Sequence, residues 1–120
     1  MPIQSYRDLE AWKIGMDLVV AIYGLTRSFP REEVYGLTSQ LRRAAVSIPS
    51  NISEGHQQGT KSYTHSVSLA LGSLGEAETQ LEVATRLRYV EVERVASVTE
   101  LAGQLRRVLH GLRRSLYARS

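Results

Sequence analysis

Leu37-Thr38-Ser39-Gln40-Leu41-Arg42-Arg43-Ala44-Ala45-Val46-Ser47-Ile48-Pro49-Ser50-Asn51-Ile52-Ser53-Glu54-Gly55 places apolar side chains at Leu37, Leu41, Ala44, Ala45, Ile48 and Ile52. Steps of three and four residues gather these positions on one face of an α-helix, whereas a strand would need strict alternation. The spacing predicts a helix from about Glu33 to Glu54, with Gly55 as its natural stop. Pro49 falls inside it. A proline there removes one backbone donor and costs about 3 kcal/mol. Because the apolar spacing persists to Ile52, the expectation is a helix bent at Pro49 and continuing beyond it, in preference to two helices split at Ile48.

The same periodicity extends in both directions. A first helix is predicted from near Ser5, where Ser5 and Asp8 have capping-box-like spacing, to about Arg27, before Phe29-Pro30 ends it. It carries two apolar stripes: Leu9, Trp12, Met16, Val19 and Tyr23 form one, and Leu18, Ile22, Leu25 and Phe29 the other. An apolar surface that wide implies burial by more than the chain's own helices, hence oligomerisation.

Past the His56 to Gly59 loop, Thr60 or Ser62 is placed to cap a third helix that carries Tyr63, Val67, Ala70, Leu74, Leu81 and Leu87 on towards Tyr89. Gly72 and Gly75 interrupt it, each costing on the order of 1 kcal/mol relative to alanine. Beside Ala70 and Ala77 they suggest the close approach of a neighbouring helix. A fourth helix from Glu91 to Glu93 onward repeats Val98, Ala102, Leu105, Leu109, Leu112 and Leu116, a bundle-type seam. Short breaks and the lack of any hairpin signal point to an all-α chain, an antiparallel up-down-up-down four-helix bundle formed by residues 1–120 as one domain.

Composition bounds the function. With 120 residues, 42% hydrophobic and 22% charged, the chain has the make-up of one ordinary globular domain. There is no cysteine, so disulfides and thiolate metal sites are excluded, and a reducing, cytoplasmic setting is expected. The N-terminus lacks a secretory pattern, and the longest apolar stretch, Leu18 to Leu25, is far short of the roughly 20 residues that a membrane-spanning helix needs. The formal net charge is +3, yet after Glu100 the chain carries Arg106, Arg107, Arg113, Arg114 and Arg119 without one acid. A basic end on a nearly neutral body attracts phosphates or acidic partners, although a helix C-terminus also favours cations through its dipole.

The run Gln40 to Gly55 resembles the signature of a bacterial four-helix-bundle family named after 23S rRNA intervening sequences. Ala70-Leu71-Gly72-Ser73-Leu74-Gly75-Glu76-Ala77-Glu78-Thr79-Gln80-Leu81 is similar to that family's second block, and Tyr6-Arg7-Asp8-Leu9-Glu10-Ala11-Trp12 to its opening. The resemblance implies an antiparallel four-helix bundle and a homo-oligomer, with a pentamer as the concrete expectation because some members are homopentamers. A related branch serves diversity-generating retroelements as a nucleic-acid-binding accessory protein, so RNA or DNA is the implied partner. Where family members often carry further basic or aromatic residues after the Glu-Gly pair, this chain has His56-Gln57-Gln58-Gly59 before Lys61.

Two sets of residues stand out. Arg106, Arg107, His110, Arg113, Arg114 and Tyr117 recur at three- and four-residue steps, so a helix presents them as one broad basic face, with Arg119 beyond; a phosphate backbone could lie along it. The alternative is a solvated helix face. Arg43, Ser47, Ser50, Asn51 and Glu54 form a polar stripe beside the apolar face of helix two. With Arg42, Pro49 and Glu78 they read as structural or interface positions, Arg43 or Asn51 being the expected partner of Glu78. Magnesium chemistry through Glu54, Glu76, Glu78 and Glu82 is disfavoured because only Glu78 and Glu82 share a face. His56, His65 and His110 have no spacing for zinc. The sequence therefore reads as a non-enzymatic, cofactor-free homo-oligomer that binds RNA or DNA. The rivals are a structural or protein-binding scaffold and, behind it, a metal-dependent nucleotide hydrolase.

Overall fold

A computed structural model describes residues 9–119. Four α-helices account for most of them: α1 (Glu10–Thr26), α2 (Leu37–His56), α3 (Thr60–Arg86) and α4 (Val92–Arg119), with a short 3-10 turn at Arg31–Glu33. No strand occurs among the described residues. Each helix packs on its chain neighbours, α4 also packs on α1, and the buried side chains form one contiguous core. The long axis of 45 Å is close to the roughly 42 Å that 28 residues of α4 span at about 1.5 Å each.

α2 runs unbroken through Pro49, with Ser50 to Ser53 helical as the apolar spacing required. Side chains on either side of the proline bond back to carbonyls of their own helix. The Ser47 hydroxyl donates to Ala44 O (2.7 Å), the Asn51 amide to Ser47 O (2.8 Å) and the Ser53 hydroxyl to Ser50 O (3.0 Å). Pro49 is buried against α1 beside Gly15, where an added Cβ would stand at ordinary contact distance, 3.6 Å from the proline ring.

Several boundaries differ from the sequence expectation. The predicted start of the first helix at Ser5 lies outside the described residues. α2 begins at Leu37 because Glu33 sits in a separate 3-10 turn and reaches forward, its carboxylate accepting from the Leu37 amide (3.0 Å). Gly55 does not stop α2, which extends to His56, and neither Thr60 nor Ser62 caps α3, whose N-cap is Gly59. α3 ends at Arg86 instead of reaching Tyr89. Arg88 turns left-handed (φ 63°), the Tyr89 amide donates to Ala84 O and the Arg88 amide to Thr85 O, the Schellman pattern that satisfies the last carbonyls. Leu87 is consequently exposed.

The glycine expectation for α3 is also corrected. A side chain on Gly72 or Gly75 would meet nothing within 4 Å, so no helix of this chain crowds them. The glycine crowded by a neighbouring helix is Gly55, where a Cβ would fall 2.6 Å from Ser66 Cβ and 3.0 Å from the Tyr63 ring. On α1, the stripe Leu18, Ile22, Leu25 and Phe29 is buried, whereas Met16 and Tyr23 of the other stripe are exposed, with Val20 at 70%.

Two outcomes follow. Gly55→Ala destabilises the fold by about 1 to 3 kcal/mol through overpacking, while Gly72→Ala is neutral or stabilising by up to about 1 kcal/mol; urea denaturation followed by circular dichroism reads both, and equal effects would refute the packing assignment. Glu33 has a carboxyl held below its ordinary value of 4.5, chiefly by the Leu37 amide and next by the Tyr89 hydroxyl. A depressed folded-state value contributes stability above 4.5 that is lost as pH falls through the lower folded value. Glu33→Ala therefore lowers the melting midpoint at neutral pH, and the gap from the unaltered protein narrows in acid; a gap independent of pH contradicts the charge-based cap.

Candidate nucleic-acid interface

The leucine seam of α4 sets which of its arginines face where. Val98, Ala102, Leu105, Leu109 and Leu116 are buried, which rotates Arg106, His110 and Arg113 towards α3 and leaves Arg107 and Arg114 exposed. The basic residues at helical spacing are thus divided between two environments and do not form one uniform face.

Arg106 is not available in the way the sequence suggested. Its guanidinium forms a paired ion bridge with Glu78 of α3, Nη1 donating to Oε2 at 2.8 Å and Nη2 to Oε1. Two parallel N–H to carboxylate bonds neutralise both groups with directional specificity. This replaces the expected pairing of Glu78 with Arg43 or Asn51. Glu78 lies on the α4 flank of α3, whereas the α2 flank presents Ser73, Glu76 and Gln80, which share a cleft of about 570 Å³ with Arg43 and Ser47.

The remaining cations keep their charge. Arg113 Nη2 donates to His110 Nδ1 (3.3 Å) and Nη1 to the Ser68 hydroxyl (3.4 Å). Arg107 folds back over Gly103 and Arg114 over Gly111, their terminal nitrogens 3.7 and 3.8 Å from where a Cβ on those glycines would stand. Sequence reading overlooked these glycines, whose spacing from the arginines was the available signal. Among the described residues neither guanidinium has a carboxylate within ion-pair distance. Tyr117 is exposed, and Arg119 lies close enough to Tyr63 to oppose the burial that raises the Tyr63 phenol above its ordinary range.

On α2, Ser47 and Asn51 turn back to their own helix, as described above, Pro49 packs on α1, and Arg43, Ser50 and Glu54 are exposed. Arg42 reaches across to α1: its Nε donates to the Thr26 hydroxyl (2.8 Å) and its guanidinium lies 4.4 Å from the centre of the Tyr23 ring. Glu54 and Asn51 face Lys61, Ser62 and His65 across a second cleft of about 480 Å³. Among the described residues no three histidine, aspartate or glutamate side chains converge as metal ligands, and no helix is long and apolar enough to cross a membrane.

Comparison with known proteins agrees with this architecture. The crystal structure of a protein of unknown function from the S23 ribosomal protein family of Bacteroides thetaiotaomicron superimposes with a TM-score of 0.78 at 22% identity, over 85% of this chain and 96% of that one. At that identity the likeness concerns the fold alone. No curated protein matches the chain. The family model described as 23S rRNA-intervening sequence protein matches residues 7–111, taking in the α2 run with its buried proline and the α3 block that bears Glu78. By that match over most of its length, the chain belongs to the 23S rRNA-intervening sequence protein family.

Proposed function

We propose that this protein is a non-enzymatic homo-oligomeric bundle that binds RNA or DNA through the C-terminal half of α4. The observation that carries the reading is charge left over after pairing. Glu78 neutralises Arg106, while Arg107, Arg113, Arg114 and Arg119 have no carboxylate partner among the described residues. Several uncompensated guanidinium groups on one long helix suit a phosphate backbone, and the contact is non-specific because phosphates carry no base identity. The helices alternate up-down-up-down as one antiparallel domain; Arg42 meeting Thr26 while Pro49 meets Gly15 supports opposed directions for α1 and α2. The cysteine-free composition fits a cytoplasmic setting.

Self-association is supported by exposed apolar side chains on the outer side of α1 and α2, namely Met16, Val20, Tyr23 and Val46. An apolar surface of that kind is suited to covering by another protein surface. The same stripe also favours a second reading, a protein-binding scaffold that makes no nucleic-acid contact.

Salt dependence separates the readings. With Arg107, Arg113 and Arg114 engaging three phosphates, log affinity for duplex DNA falls against log salt with a slope of about −2.7, at about −0.9 per contact. Changing these three to Gln removes most of the slope without loss of helicity. Glu78→Gln releases Arg106 and steepens the slope by about 0.9. No retention of DNA at low salt sinks the nucleic-acid reading, and binding that survives the triple change moves the site elsewhere. For assembly, light scattering at micromolar concentration gives a mass several times the 13.4 kDa of one chain, and Val20→Glu reduces it with helicity intact. A wild-type mass of one chain contradicts self-association.

A further inference from the structure

We infer that the corner joining α1 to α2 is an oxyanion site that takes a phosphate monoester or inorganic phosphate dianion, separate from the α4 surface. A cleft of about 310 Å³ opens there, lined by Thr26, Arg27, Arg31, Val34, Thr38 and Arg42 together with the Phe29-Pro30 turn. Three of these side chains are guanidinium groups and none is a carboxylate. Bringing three cations together without an acid is unfavourable by itself, and a dianion bound among them reverses the sign of the interaction.

Arg42 is already oriented. Thr26 holds its Nε at 2.8 Å and the Tyr23 ring underlies its guanidinium, so the ordering that a ligand would otherwise have to impose on this long side chain is in place. Its Nη groups have no carboxylate within ion-pair distance among the described residues. Arg27 and Arg31 are exposed at the cleft margin and can close on a bound anion.

The surrounding backbone is compatible with negative charge. The C-terminal end of α1 lies beside the cleft, and such an end normally repels anions. Here its carbonyls are occupied: Ile22 O accepts from the Thr26 hydroxyl (2.9 Å), Leu25 O from the Ser28 hydroxyl (3.0 Å) and Gly24 O from Arg94 (3.4 Å). Thr38, in the first turn of α2, also lines the cleft, so the positive end of that helix dipole borders it. Glu33, on the same 3-10 turn as Arg31, has its carboxylate engaged by the Leu37 amide and the Tyr89 hydroxyl. Three guanidinium groups match a dianionic monoester better than the single charge of a phosphodiester.

The test uses full-length protein. Melting midpoints are compared in inorganic phosphate and in chloride at matched ionic strength, for the unaltered protein and for Arg27→Gln/Arg31→Gln, whose two sites are exposed and carry no core contact. The expected result is a rise in midpoint with phosphate that disappears in the double variant, while circular dichroism is unchanged. No rise, or the same rise in both proteins, overturns the inference. A second arm measures a short oligonucleotide bearing a 5′-phosphate or a 5′-hydroxyl against protein in which Arg107, Arg113 and Arg114 are Gln. A preference of at least about tenfold for the 5′-phosphate, lost in the Arg27→Gln/Arg31→Gln background, supports the site and names a nucleic-acid end as the source. Equal binding of the two oligonucleotides, with the phosphate-dependent rise retained, supports the site with free phosphate as its ligand. Failure of the α4 reading leaves the phosphate result unaffected, so the two conclusions stand or fall separately.

Discussion

Pro49 lies 3.6 Å from the position that a side chain on Gly15 would occupy, and Ser66 lies 2.6 Å from the corresponding position on Gly55. α2 is thereby held between α1, which it meets at ordinary contact distance beside Gly15, and α3, which it meets at Gly55 where glycine alone leaves room. The remainder of the core depends on these two approaches, because they set how closely the neighbouring helices stand and hence which of their flanks are enclosed. Ile48 and Ile52, on either side of Pro49 along the buried face of α2, are fully buried. A packed interior cannot absorb a displaced helix without opening voids, so the glycines act on more than their local contacts.

The rotation that this packing imposes also sorts the charges. α4 buries its leucine seam, which carries Arg106 against α3 and into the paired bridge with Glu78, while Arg107 and Arg114 are left outside lying over Gly103 and Gly111. A bridge with side chains 36% and 27% exposed sits at the margin of the core, where its value for stability is modest. Its clearer consequence is to remove one cation from the surface potential. Arg113 is intermediate: Ser68 and His110 orient it without neutralising it.

At the other end of the bundle the same economy of contacts recurs with different outcomes. Arg94 ties the start of α4 to the end of α1 through Ser28 and Gly24, and Tyr89 ties the α3–α4 connection to the 3-10 turn through Glu33 and by its ring against Phe29 at 5.8 Å. The Tyr89 phenol is held above its ordinary range first by that hydrogen bond to Glu33. Arg42 spans α2 and α1. These links join elements far apart in the chain, so they lock the relative placement of helices whose formation is local.

Four helical segments, the passage of α2 through Pro49, the seam of α4 and the acid-free run of arginines after Glu100 are legible along the chain. All of these are properties of one helix at a time, and a period of 3.6 residues exposes them directly. The family was legible for a related reason, since the Gln40 to Gly55 run keeps its residue types in order along one continuous helix. The packing of helix on helix decided that Glu78 meets Arg106 and not Arg43, that Gly55 is crowded by α3 while Gly72 and Gly75 are open, and that Arg27, Arg31 and Arg42 gather at one corner. Each depends on the rotation and register of one helix against another. Those are fixed by the summed packing of many side chains, and periodicity within a single helix carries no record of them.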